Sequence, residues 1–167
     1  AAPDPVSSRD FQKEIDDFAA ADAASAWPRD AVVFTGSSSI RLWRTLAEDF
    51  PGVTVVNRGF GGSQVRDVVH YADRVALAYP ARMIVVYAGD NDIDAGRTPQ
   101  QVLSDFRALL TRIRRDRPKV PVVYLSIKPS PLRASQLSAQ REANALIRAE
   151  TTKWRRVRFV DVATPML

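Results

Sequence analysis

Five short apolar runs rich in β-branched residues recur along this chain, each separated from the next by a longer amphipathic stretch. The runs are Ala31 to Thr35, Val53 to Asn57, Met83 to Ala88, Val120 to Ile127 and Val157 to Val162. Near-continuous apolar strands predict burial on both faces of a sheet. The segments between them carry helical spacing: Phe11, Ile15 and Phe18; Val65, Val68, Val69, Ala72 and Val75; and Val102, Phe106, Leu109, Leu110 and Ile113. Strands alternating with crossover helices give a parallel sheet with right-handed connections and helices on both faces, a doubly wound α/β domain. Pro51-Gly52, Pro80 and Pro118 fall where a helix must stop before the next strand. Thr98-Pro99-Gln100-Gln101 predicts a helix start, with a Thr N-cap, Pro at the first position and Gln at the capping-box position. No repeat or linker interrupts the series, so residues 1–167 are expected to form one domain.

Composition narrows the chemistry. There is no cysteine and a single histidine, His70, which excludes disulfides and thiolate metal sites and leaves a serine nucleophile with almost nothing to supply its general base. No metal or cofactor is expected. The formal net charge of +5 raises nucleic acid as a partner. The basic residues form no common face, however: Arg112, Arg114, Arg115, Arg117 and Lys119 step around a helix end, where cations complement the helix dipole and are expected to be solvated. Lys153, Arg155, Arg156 and Arg158 read the same way, with Trp154 capping a core edge. The apolar runs are far below the roughly 20 residues needed to cross a bilayer, so no transmembrane helix is expected. A start at Ala-Ala-Pro-Asp-Pro without Met fits a removed signal peptide or a trimmed chain. The expectation is a periplasmic or secreted protein, otherwise a cytoplasmic one.

Ligands of such sheets bind beyond the carboxyl ends of the strands, and the first three loops there are rich in Gly, Ser, Asn and Asp. After the first run, Gly36-Ser37-Ser38-Ser39 breaks an apolar strand into a row of hydroxyls. This segment reads either as a displayed nucleophile at a helix N-terminus or as a Ser-rich N-cap. Ile40 stands where a G-x-S-x-G elbow would require its second Gly. After the second run, Gly59, Gly61 and Gly62 allow backbone to approach a ligand closely, although the pattern is not G-x-G-x-x-G. After the third, Asn91 stands between Asp90 and Asp92, an amide donor suited to an oxyanion and too few oxygens for a hard cation. Together the three loops place a hydroxyl, a close-approach backbone and an amide at adjacent strand ends, the parts of a nucleophile facing an oxyanion hole. Phe60, Trp43, Tyr87 and the Pro129 to Arg133 loop are candidates for a pocket lining, or equally for core or rim.

These blocks resemble those of the SGNH (GDSL-like) hydrolase superfamily: Gly36-Ser37-Ser38 for G-D-S, Asn57-Arg58-Gly59-Phe60-Gly61-Gly62 for N-x-G-x-x-G, and Gly89-Asp90-Asn91-Asp92 for G-x-N-D. The likeness extends through Ile127 to Pro131 and Val160 to Val162. It implies a three-layer α/β/α, flavodoxin-like, five-stranded sheet of order 2-1-3-4-5. It also implies a serine esterase or acylhydrolase acting through an acyl-enzyme on a small-molecule, lipid or carbohydrate ester. Ser38 would then be the nucleophile, with its own N–H, the Gly62 N–H and the Asn91 amide as oxyanion hole. Ser37 replaces the Asp of the first block, a structural position in the family. The family's D-x-x-H block has no counterpart before Leu167. The catalytic Asp and His are thus expected from a segment beyond residue 167, in a longer chain or as a separate one. At 1.5 Å per residue, His70 falls roughly 10 Å along a helix leading away from the strand ends, a surface or rim position. Asp161 has no histidine after it, so it is not expected to be the missing acid. The alternative is a non-catalytic binding module that retains the cleft.

Overall fold

The computed structural model describes residues 11–164. Helix α1 (Gln12–Ala24) leads into strand β1 (Val32–Gly36), followed by two single-turn helices, α2 (Ser38–Arg41) and α3 (Leu46–Asp49). Strand β2 (Val55–Gly59), helices α4 (Val65–His70) and α5 (Ala72–Val75), and strand β3 (Met83–Tyr87) come next. After β3 stand the short helix α6 (Asp90–Asp94) and the long helix α7 (Pro99–Asp116), then β4 (Val122–Leu125). A 3-10 helix (Pro131–Gln136), helix α8 (Leu137–Thr151) and strand β5 (Val157–Val160) complete the series.

All strand pairs are parallel and the sheet order is β2-β1-β3-β4-β5, the flavodoxin-like order that the resemblance implies. The two faces are covered unequally. On one, Val33, Ile84, Val86, Val122 and Tyr124 pack with Phe106, Leu109, Ile113 and Ile147 of α7 and α8 and with Val65 and Val68 of α4. On the other, Val32, Phe34, Val85 and Tyr87 meet Ile40 and Leu46 of the two short helices, and Met83, Val123 and Leu125 are only half-buried. Helix α7 begins as its sequence predicts, with Thr98 Oγ1 accepting from Gln101 N–H and Gln101 Oε1 accepting from Thr98 N–H.

The strands shift relative to their apolar runs. β1 extends to Gly36 and β2 to Gly59, so Arg58 and Gly59 stand inside a strand and not in the loop beyond it. The reason is pairing, since Gly36 is in register with both Gly59 and Tyr87. β4 and β5 are shorter than their runs, which continue into loops. The expected Val65 to Val75 helix breaks at Tyr71 (φ −100°, ψ 16°), whose ring sits edge-on to Phe11 and Phe60. The basic end of α7 is less solvated than expected. Arg114 donates to the carbonyls of Val120 and Arg155, tying α7 to the starts of β4 and β5, and burial lowers its pKa.

Candidate active site

Three glycines let backbone pass where side chains cannot. Gly36 closes β1 at φ +126°, and a Cβ there would stand 1.8 Å from the Tyr87 carbonyl oxygen. Its carbonyl accepts from Phe60 N–H (2.8 Å), while the next N–H, of Ser37, donates to Tyr87 O (2.9 Å). The chain is thereby fixed to both neighbouring strands immediately before Ser38. On β2, a Cβ at Gly59 would lie 2.3 Å from Arg41 N, so α2 rests directly on strand backbone. Gly89, at φ +132°, admits the Tyr124 hydroxyl and the Ile127 side chain beneath the third loop. Tyr124 donates its hydroxyl proton to Ala88 O, and burial pushes its pKa well up.

Ser38 is the first residue of α2 and is half-buried. The helix is held from below by Asn57, which donates Nδ2 to Ile40 O (2.7 Å) and accepts Gly59 N–H on Oδ1 (2.9 Å). The geometry of this turn is therefore held by a side chain on β2. Ser37, in the position where the resemblance has Asp, is fully buried, and its hydroxyl finds no partner.

The Gly61–Ser63 loop crosses over Ser38. A Cβ added to Gly61 would lie 3.9 Å from Ser38 Cβ, and Gly62 follows at φ +81°. Asn91 closes the circuit by donating Nδ2 to Ser63 O (3.0 Å). Its neighbour Asp92 is fully buried and accepts Val65 N–H at 3.0 and 3.3 Å, joining α6 to the first turn of α4. Burial pushes the Asp92 carboxyl up to about 7, against the pull of that N–H. Asp90 is also raised, chiefly by burial, with Arg133 opposing.

Ser38 and Asn91 share a cleft of about 230 Å³ with Ser39, Tyr87, Lys128 and Arg133. Lys128 lies over the Tyr87 ring (5.7 Å) and gives its backbone N–H to the Tyr87 hydroxyl (3.3 Å). Burial raises the Tyr87 pKa. Of the expected lining, Tyr87 and the Pro129 to Arg133 loop face this cleft. Phe60 does not: it is fully buried, edge-on to Phe11. Trp43 lies on the other side of α2, in a larger groove of about 750 Å³ along β2, hydrogen-bonded to Asp49.

His70 ends α4 on the exposed surface against Tyr71 and is absent from the cleft walls. Asp161 caps its own turn, accepting from Ala163 N, Thr164 N and the Thr164 hydroxyl, which lowers its pKa. Among the described residues, no group of three or more His, Asp or Glu is placed to hold a metal ion, and no helix is long and apolar enough to cross a membrane. Two features escape a reading of the sequence. One is Asp22, buried under Arg58 (2.7 Å), Arg74 (3.1 Å) and Trp27 Nε1 (2.9 Å); burial raises its pKa, but these donors outweigh it and the net shift is downward. The other is Arg133, which donates to Asn91 Oδ1 at 3.1 Å across 42 residues of sequence.

The human platelet-activating factor acetylhydrolase IB subunit alpha1 is 29% identical over 142 residues, covering 78% of this chain and 58% of that protein; the Bos taurus protein of the same name matches over 142 residues at 29%. The chain thus spans less than two thirds of the length of these relatives. Among solved structures, a platelet activating factor protein from Streptococcus pneumonia superposes with a TM-score of 0.80 at 20% identity, over 92% of this chain and 75% of that one. A GDSL-like lipase from Bacteroides thetaiotaomicron gives 0.73 at 20%, over 92% and 80%. These two likenesses speak to the fold. The family model for GDSL-like lipases and acylhydrolases matches residues 13–167, nearly the whole chain, and the chain belongs to that family.

Proposed function

We propose that this chain carries the nucleophile and oxyanion hole of a serine esterase acting on short-chain carboxylic esters. Ser38 Oγ attacks the ester carbonyl. The Ser38 N–H at the start of α2, the Gly62 N–H and the second proton of Asn91 Nδ2 receive the oxyanion. The alcohol leaves, and water then releases the acyl group from Ser38. The proton of Ser38 passes to a histidine oriented by an aspartate, both supplied by a segment beyond residue 167. The relatives' greater length leaves room for such a segment.

One observation carries the reading: Ser38 and Asn91 line one cleft, and the Gly61–Ser63 loop joins them through the Gly61 approach to Ser38 and the Asn91 to Ser63 hydrogen bond. Each is held by other residues, so the hydroxyl and donors are preorganised. The short acyl preference is supported by the cleft volume of about 230 Å³ and by the acetylhydrolase names of the relatives.

The test pairs aryl acetate hydrolysis with intact-mass detection of an acetylated Ser38. A polypeptide extended to the relatives' length should turn over and accumulate the acyl-enzyme. The 167-residue chain should be slower by about 10⁴-fold or more, the loss expected when a triad base is removed. Ser38→Ala should abolish both signals in the extended protein. Turnover in Ser38→Ala equal to the parent protein would refute the proposal.

A further inference from the structure

We propose that Arg133 is a positioning residue that fixes which way the Asn91 carboxamide points. The inference rests on the esterase reading for its kinetic consequence only. An amide offered to an oxyanion is useful in one orientation alone, because its flipped form presents Oδ1 and repels the developing charge. In this structure each end of the Asn91 amide is held. Nδ2 donates one proton to Ser63 O at 3.0 Å, which leaves the second for the cleft. Oδ1 accepts from Arg133 Nη2 at 3.1 Å. Flipping the amide would set its NH₂ against the guanidinium and its oxygen against the Ser63 carbonyl, so both contacts would become repulsive at once.

Arg133 is itself held for this task. It belongs to the 3-10 helix Pro131–Gln136 but departs from helical backbone there (φ −123°, ψ 28°), which turns its side chain back toward α6. Nη1 lies 3.6 Å from Asp90 Oδ2 and Nη2 lies 3.4 Å from Asp94 Oδ2, both longer than the bond to Asn91. The two carboxylates flank the amide in α6, so they centre the guanidinium on Asn91 and offset its charge. Gln136 ties the same segment to Asp94 at 2.7 Å. By contrast, Leu132, one residue earlier, is 98% exposed. This segment is anchored over the cleft through polar contacts to α6. A lysine at 133 keeps the charge but lacks the planar fork that reaches three acceptors together.

The experiment uses the extended protein and the variants Arg133→Gln and Arg133→Lys, with Asn91→Asp to assign the Asn91 side-chain NH₂ signals in a ¹⁵N-correlated NMR spectrum. In Arg133→Gln the Asn91 pair should shift and broaden by exchange. With aryl acetate, kcat should fall about tenfold while KM stays unchanged, a smaller loss than the 10²–10³-fold of deleting an oxyanion donor. Arg133→Lys should fall between the parent and Arg133→Gln. Asn91 signals that match the parent in both variants would overturn the proposal. So would an unchanged kcat in a protein whose turnover Ser38→Ala abolishes, or a rise in KM alone. Should Ser38→Ala retain full turnover, the esterase reading fails separately, and the NMR signals decide Arg133 by themselves.

Discussion

Asp92→Asn should remove a pH dependence built into the site. The Asp92 carboxyl rises from its ordinary 3.8 to about 7 because burial outweighs its hydrogen bond from Val65 N–H. At ~1.36 kcal/mol per pH unit, ionising it inside the folded protein costs about 4 kcal/mol relative to the unfolded chain. The sign follows from proton counts. Between pH 4 and 7 the folded state holds a proton that the unfolded chain has released, so this group's contribution makes stability fall as pH rises. Roughly 3 kcal/mol of the loss enters between pH 5 and pH 8. Asp22 does not obscure this window, because its net-lowered pKa gives stability that is present above 3.8 and lost only in more acid solution. Asp90 and Asp105 are raised as well; they are present in both proteins, and their charges add to the rise at Asp92. Asparagine keeps an oxygen for Val65 N–H and cannot ionise. Urea titrations at pH 5 and pH 8 should therefore show the variant gaining on the parent. With a slope of about 2 kcal/mol per molar, the gap between midpoints should move by roughly 1.5 M in the variant's favour. A gap that stays constant across the two pH values would show that Asp92 is ionised in the fold throughout, held by the Val65 N–H, and the burial argument would be wrong.

Two backbone devices give further tests. Gly36→Ala must place a methyl 1.8 Å from the Tyr87 carbonyl at φ +126°, and should cost about 3 kcal/mol or more, a fall in Tm of roughly 10 °C. Gly52→Ala is the comparison: φ is +80° with nothing within 4 Å, so strain of about 1 kcal/mol should be its whole effect, and equal melting temperatures for the two would refute the steric account. Asn57→Ala removes the bonds to Ile40 O and Gly59 N–H and should cost about 2–3 kcal/mol in denaturant titrations, with ester turnover in the extended protein falling through kcat.

Much of this was legible in the chain. The alternation of apolar runs and amphipathic segments gives the parallel sheet, because buried strands and crossover helices leave unmistakable periodicities. Ser38, Gly62 and Asn91 could be brought together because parallel topology gathers the loops at one edge. The ends of elements were less legible: the apolar run at Val53 hides that β2 continues to Gly59, whose pairing with Gly36 is a register fact. Phe60 was open between pocket and core, and the deciding contacts come from Phe11 and Tyr71, 49 residues before it and 11 after. Arg133 stood in a loop of the right neighbourhood, but its aim depends on one non-helical φ/ψ pair that no local pattern announces.

The three blocks also divide by the direction in which their residues work. Ser38 and Asn91 face the cleft. Gly36, Asn57, Gly59, Gly89 and Asp92 face the protein, where they close strands, seat α2 on β2, admit Tyr124 and fasten α4 to α6. Most of the motif is thus scaffolding for two side chains and a loop. The scaffold residues would be required of any chain with this fold, catalytic or not, so a match to them speaks for architecture. In the proposed esterase, the chemical content rests on Ser38 and on a carboxamide that must not turn over. Asn91 needs a partner on its oxygen to make that orientation unique, and Arg133 is the described residue that donates to it. Under the esterase reading, that bond decides whether the cleft meets the ester oxygen with a donor or with an acceptor.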